Sequence, residues 1–525
     1  MKVRYILFLC MVCVFRIRAA EKPNIILLMA DDISAREFSF YGSDSCTGGE
    51  WAQTPVLDRL AHEGCFLNTV WASTVCMPTR AMLMSGRYAH LTKWWYNGEM
   101  GRNEKNGNYA VPESSPLTLG QLAKQAGYRS IWVGKTHVTT GDNHAQFGFD
   151  ESVFSPGERK VRGTSPEHFQ NVKDPSFWNH DSFYWWPEMQ LVNHPDEEPW
   201  VKTGISDFGP DLEMEYIFDF IERSKEEEQP FFVYHASHLG HNAIDMADPE
   251  FELTWPGTPV ITWDADTQSY SRAVPKITPN GPVNTVTTTY RKENITPNKL
   301  KHHVEYLDYQ VWQYITKLEA MGELENTVFF FFSDNGTYGW KASVLRQRGV
   351  HVPMVIYAPG QPKRVTGAQD IISDLTDILP TVAEIMGLPL PTQEEYELNG
   401  KSLWPYLTQQ QTTHRDWIYA YRGNKQMVRG QELMRDGKGN WWDTRTIPPD
   451  LDAFPVITDF ETLSTKQQRE KELIEQALRR FAREDIGGPN SFHATPSIKL
   501  SEKQIEKMRK NEASLEASLK ASGES

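Results

Sequence analysis

The sequence predicts an α/β fold in two parts: a large domain with a mostly parallel central sheet flanked by helices, then a smaller C-terminal α+β domain with an antiparallel sheet. Three observations carry this. Uninterrupted apolar runs of strand length recur through most of the chain, the pattern of strands covered on both faces. Segments with helical periodicity separate them, as in βαβ units. Around Asp416 the pattern changes to short strands and a hairpin, followed by charged amphipathic helices.

The first run, Asn24 to Ala30, ends abruptly in Asp31-Asp32. Ser130 to Gly134 ends at Lys135, and Pro230 to Tyr234 ends near His235. Thr327 to Phe332 ends in Ser333-Asp334-Asn335-Gly336. Each run thus stops at polar residues able to do chemistry, where open α/β sheets place their ligands. Helical patterns cover Leu117 to Gly127, Asp211 to Arg223 and His303 to Met321. In the last of these Val304, Leu307, Val311, Ile315 and Leu318 recur at helical spacing. These elements predict a large domain over residues 21–405. Trp417 to Tyr421 and Met427 to Met434 read as strands, with Asp436-Gly437-Lys438-Gly439 as a hairpin turn. Helices near Thr465 to Arg483 and Ser501 to Leu519 complete a smaller domain over 406–525. Two long insertions, Ser155 to Gly209 and Ile244 to Asn298, are polar and aromatic, and the first holds Phe177, Trp178, Trp185, Trp186 and Trp200.

A chain of 525 residues with 39% hydrophobic content buries a large core. Its formal charge of −15 and the lack of a Lys/Arg-rich stripe argue against nucleic acid as a partner, so an anionic substrate requires a local basic pocket. Lys2 and Arg4 precede an apolar run from Tyr5 to Phe15, and Ala19-Ala20 follow, which reads as a signal peptide over residues 1–20. That run is too short to span a bilayer, so the expectation is a periplasmic or secreted protein without stable membrane insertion.

Asp31, Asp32, Asp334 and Asn335 offer four hard oxygen ligands from the ends of two buried strands, a set that favours calcium or magnesium over zinc, and calcium is the expected ion, ahead of magnesium. Pro78 fits the first turn of a helix continued by Ala81-Met82-Leu83-Met84, which places Cys76 at a helix N-terminus, where backbone N–H groups favour an oxyanion. Arg80 lies one turn on, on about the same face. Trp94, Trp95 and Tyr96 lie close by in sequence and offer ring faces for a sugar.

Cys76-Met77-Pro78-Thr79-Arg80, with Gly86-Arg87 further on, resembles the C-x-P-x-R…G-R signature of type I, formylglycine-dependent sulfatases of the alkaline phosphatase-like superfamily. The order of further motifs is similar to that family. Asp31-Asp32 match its metal-binding aspartates, and Gly134-Lys135-Thr136-His137 resembles its G-K-x-H element. His235-Ala236-Ser237-His238-Leu239-Gly240-His241 matches a segment ending in a substrate-facing histidine. Ser333-Asp334-Asn335-Gly336 to Lys341, then Gly349 to Pro353, is similar to its S-D-N-G…K…R-V-P block. Gly240 stands where a proline is common and His351 where an arginine is.

The resemblance implies that Cys76 is oxidised to formylglycine (3-oxoalanine) by a formylglycine-generating or anaerobic sulfatase-maturating enzyme. The hydrated aldehyde would be nucleophile and a further metal ligand beside Asp31, Asp32, Asp334 and Asn335. Arg80, Lys135 and Lys341 would surround the developing negative charge. His241, alone or together with Lys341, would protonate the leaving oxygen, and His137 would take a proton at position 76. His238, Trp94, Trp95, Arg348 and His351 are the candidate substrate contacts, and the expected substrate is a sulfated glycan. The same superfamily also includes phosphomonoester and phosphonate hydrolases, and a chain whose Cys76 stays a thiol would be a sulfated-glycan binding protein. With Cys10 and Cys13 in the signal segment and Cys76 consumed, Cys46 and Cys65 are available for a disulfide.

Overall fold

The computed structural model describes residues 22–46, 50–95, 97, 111–138, 143–154, 188–195, 200–202, 208–241, 260–273, 277–278, 281–282, 300–337, 345–422 and 425–481. The signal segment, Tyr96, Lys341, the tryptophans Trp178, Trp185 and Trp186 and the helix expected at Ser501 to Leu519 lie outside the described residues.

The strands follow in chain order. β1 is Asn24–Ala30, β2 Cys65–Trp71, β3 Arg129–Gly134, β4 Glu151–Phe154, β5 Glu188–Val192, β6 Trp200–Lys202 and β7 Phe231–Ala236. Two hairpins come next, β8 Val260–Asp264 with β9 Ser269–Ala273, and β10 Ile277–Thr278 with β11 Gly281–Pro282. Then come β12 Thr327–Ser333, β13 Met354–Tyr357 and β14 Gly367–Asp374. The C-terminal strands are β15 Ile418–Arg422, β16 Lys425–Arg429, β17 Leu433–Asp436 and β18 Trp441–Asp443.

Ten strands form one sheet in the order β14-β2-β13-β12-β1-β7-β3-β4-β5-β6. The run β12-β1-β7-β3-β4 is parallel throughout. Alternate residues of β1 enter two different cores: Ile25, Leu27 and Met29 pack on one face and Ile26, Leu28 and Ala30 on the other. β12 and β7 divide in the same way, with Phe330 and Phe332 opposite Phe329 and Phe331. Burial on both faces is why these strands carry no polar alternation. Helices Cys76–Ser85, Leu119–Gln125 and Ile378–Ile385 cover one face, and helices Pro55–Glu63, Gly209–Glu226 and Lys301–Met321 cover the other.

β13 is antiparallel to both neighbours, β12 and β2, and β5 and β6 extend the far edge antiparallel. β15 to β18 form a separate antiparallel sheet, with Asp436 to Gly439 turning between β17 and β18. Helix Thr465–Phe481 packs on it through Ile474, Leu478 and Phe481. A buried polar cluster ties this part to the large sheet: Arg415 bridges Asp374 at 3.0 Å and Asp377 at 2.9 Å, while His414 meets Asp377 at 2.8 Å. Cys46 and Cys65 are not disulfide-bonded, so the pairing considered from the cysteine count is not formed. Among the described residues no helix is long and apolar enough to cross a membrane.

Candidate active site

Four neighbouring parallel strands, β12, β1, β7 and β3, deliver their carboxyl ends to one place. Their continuations supply Asp334 and Asn335, Asp31 and Asp32, His238 and His241, and Lys135 and His137. Asp32 turns away from the strand in a left-handed conformation at φ +58°, which an aspartate adopts more readily than most side chains. Its backbone N–H donates to Asp334 Oδ1 at 3.0 Å, and Asn335 Nδ2 donates to Asp32 Oδ1. The two strand ends are thereby knitted into one cluster.

Asp31, Asp32 and Asp334 bring carboxylate oxygens within 4.8 Å of one another, all buried. Burial first, then the charges of Asp31 and Asp334, push the Asp32 carboxyl well above its ordinary range. Burial and Asp31 also raise Asp334, against the pull of Arg80 and Lys135. Asp31 Oδ1, an ion-pair neighbour of Arg80 Nη2 at 3.8 Å, and Asn335 Oδ1 are buried with no hydrogen-bond partner among the described residues. Buried oxygens without hydrogen bonds, beside crowded carboxylates, are costly and suit a further cation. The donor set is all oxygen, so the residues fit a hard divalent ion.

Cys76 begins helix Cys76–Ser85, with Val75 extended before it and Pro78 in the first turn. Its Sγ lies 3.7 Å from Lys135 Nζ and 3.9 Å from Asn97 Nδ2. Asn97 Oδ1 accepts the Met77 N–H at 3.0 Å, so one side chain caps the helix and faces position 76. Burial pushes the Cys76 thiol well above its ordinary range, Lys135 opposing and Asp334, Asp31 and Asp32 assisting. Arg80 is fully buried and grips Asp334 Oδ2 through Nε at 3.1 Å and Nη2 at 2.8 Å. Lys135 Nζ donates to Asp31 Oδ2. Burial alone would depress both cations, but the carboxylates hold them above their usual values.

His241 brings a ring nitrogen within 4.8 Å of Asp31 and Cys76. Burial and then Lys135 hold both His137 and His241 well below the ordinary imidazole range. His238 is lowered by burial against the pull of Glu213. Gly240 precedes His241 at φ +103°, which proline cannot adopt. A Cβ there would stand 2.1 Å from the Asp31 carbonyl oxygen. The glycine in the place of a common proline is thus what lets this turn lie against the end of β1.

Four candidate substrate contacts are placed elsewhere. Trp94 and Trp95 are 3% and 5% exposed and pack in the core, Trp95 edge-on to Tyr421, so neither offers a face to a sugar. His351 is buried edge-on to Tyr41, and its Nε2 lies 3.0 Å from the Asn68 carbonyl oxygen it bonds. Arg348 is drawn to Asp452, its backbone N–H donating at 2.9 Å and its Nε lying 3.7 Å away. Asn97 and Glu213 carried no signal in the sequence, since a lone Asn or Glu marks nothing without its spatial neighbours.

The sulfatase family model matches residues 23–388. A sulfatase of Formosa agariphila is 27% identical over 446 residues, which cover 76% of this chain and 74% of that one. An N-acetylglucosamine-6-O-sulfatase of Bacteroides thetaiotaomicron is 23% identical over 463 residues, 76% of this chain and 73% of its own. A protein solved in complex with its substrate D-glucosamine-2-N,6-O-disulfate superposes with a TM-score of 0.57 at 18% identity, over 89% of this chain and 99% of that one. The chain belongs to the sulfatase family and is a sulfuric ester hydrolase.

Proposed function

We propose that the protein is an exported sulfatase that removes sulfate from carbohydrate, with Cys76 matured to formylglycine and calcium, rather than magnesium, at the Asp31, Asp32, Asp334 and Asn335 cluster. The observation that carries this reading is the convergence of that cluster, Arg80, Lys135 and His241 on Cys76 at a helix N-terminus. The amino-sugar sulfates named for two of the relatives favour a sulfated glycan as substrate. The Lys2 to Ala20 pattern favours export.

Once in place, formylglycine supplies a hydrated aldehyde hydroxyl as nucleophile, and the cation supplies positive charge beside it. Arg80 and Lys135 hold fixed positive charge against the sulfuryl oxygens in a buried site, where such charge acts most strongly. Lys341, outside the described residues, is the further cation that the resemblance supplies. His241 delivers a proton to the leaving oxygen and His137 accepts one at position 76. Both imidazoles are held neutral by burial and nearby cations, and an anionic sulfate ester brought alongside shifts them back toward protonation.

Initial rates with matched aryl sulfate and aryl phosphate esters test the reading. It predicts a strong preference for the sulfate, and a phosphate preference of orders of magnitude would replace it with phosphomonoester hydrolysis.

A further inference from the structure

Behind the site lies a buried carboxylate with no part in the chemistry above. Glu213, on helix Gly209–Glu226, is 1% exposed. Its Oε2 lies 2.8 Å from Nε2 of His235, the fifth residue of β7, and its Oε1 lies 3.6 Å from Nδ1 of His238, just beyond that strand. On the far side of His235, Nδ1 meets Tyr314 Oη at 3.0 Å, from helix Lys301–Met321. Glu213 also lies behind Lys135. A Cβ on Gly134 would stand 2.9 Å from its Oε1, and Gly134, at φ +95°, leads directly into Lys135, whose N–H donates to the Ala236 carbonyl at 2.7 Å.

Burying a carboxylate costs several kcal/mol unless it is paired and hydrogen-bonded. Here burial would raise Glu213, yet the hydrogen bond from His235 and the ion-pair contact with His238 hold it below its ordinary range. A neutral imidazole that donates from one nitrogen presents the other as an acceptor, so the partner of the first decides what the second does. His235 donates from Nε2 to Glu213 and accepts the Tyr314 hydroxyl at Nδ1, and so serves as the anchor. For His238 the negative carboxylate 3.6 Å away favours the proton on Nδ1.

We propose that Glu213 is a positioning residue of the sulfatase site: anchored by His235 and Tyr314, its carboxylate lies 3.6 Å from His238 Nδ1, favours the proton on that nitrogen and so turns Nε2 to the substrate. Only the kinetic arm of the test rests on the sulfatase reading. A carboxylate presents a negative oxygen to each histidine, whereas a glutamine has a single, uncharged acceptor oxygen, so Glu213→Gln can keep the bond to His235 only by withdrawing the acceptor from His238.

Nitrogen-15 spectra of histidine-labelled protein should show His238 protonated on Nδ1 in the wild type, with that tautomer shifted or lost in Glu213→Gln. His238 protonated on Nε2 in the wild type would overturn the proposal, whether or not the variant folds or any preparation turns over. In aryl sulfate hydrolysis Glu213→Gln should lower kcat about 10- to 100-fold, as such outer partners typically do, with KM little changed. That loss should vanish in a His238→Gln background. An undiminished loss there, or a fall in Tm that alone accounts for the lost activity, would make Glu213 a structural residue only.

Discussion

Asp32 and His137 both hold left-handed backbone conformations, at φ +58° and +52°, and both belong to the site. Such conformations cost on the order of 1–3 kcal/mol for a residue with a side chain and persist where surrounding contacts enforce them. At Asp32 the enforcing contacts are the backbone bond to Asp334 and the side-chain bond from Asn335. His351 shows a different use of burial. Burial first, and then the charge of Arg429, lower it to about 3, so it stays neutral in the folded chain through most of the acid range. The unfolded chain takes up a proton there near about 6.5. Between those values the unfolded state binds more protons, so His351 favours unfolding increasingly as pH falls from about 6.5 toward 3. Glutamine can keep the bond to the Asn68 carbonyl without titrating. Thermal melts should therefore show a shallower loss of Tm across that window in His351→Gln than in the wild type, and parallel curves would contradict the assignment.

The turn after β7 shows how one element builds the site. Leu239 accepts the Asp31 N–H at 3.1 Å through its carbonyl, and Gly240 presses on the Asp31 carbonyl with no room for a Cβ. That contact holds His241 against the first strand end. Gly240→Ala adds both a clash at 2.1 Å and a side chain at φ +103°, so either the turn or the end of β1 must move. We expect Gly240→Ala to lose about 1–3 kcal/mol of stability, from the strained backbone alone, and, if the acidic cluster holds the proposed cation, to bind calcium more weakly. Differential scanning calorimetry and calcium titration check this, and wild-type values in both would show that the contact carries nothing. Helix Cys76–Ser85 is the second such element. Thr79 Oγ1 bonds the Val75 carbonyl at 3.1 Å and accepts the Ser73 N–H at 3.0 Å, so the turn leading to Cys76 is fastened to the helix it begins.

Across the whole molecule, the site stands where four parallel strands end between two helical layers, and this much was readable in the sequence for a physical reason. Strands buried on both faces cannot tolerate polar residues until they leave the sheet, so Asn24 to Ala30 and Thr327 to Phe332 point by themselves to Asp31-Asp32 and Asp334-Asn335. β2 carries Asn68 and Thr69 in its middle and β13 is only four residues long, so neither stands out from the chain around it. The burial of Trp94 and Trp95 is not legible in the sequence, because exposure is a property of packing and the sheet of β15 to β18 that helps to cover them is far away along the chain. Glu213 was illegible for the same reason, since only the fold brings it to His235 and His238. The proposed chemistry requires that the matured species at position 76, rather than the encoded thiol, performs the reaction. The most direct measurement is the fraction of chains converted at Cys76, by peptide mass, set against kcat for an aryl sulfate in preparations matured to different extents. Turnover should rise in proportion to the converted fraction and vanish in Cys76→Ser made in a host that converts only cysteine. Full turnover from chains carrying only thiol at position 76 would contradict it.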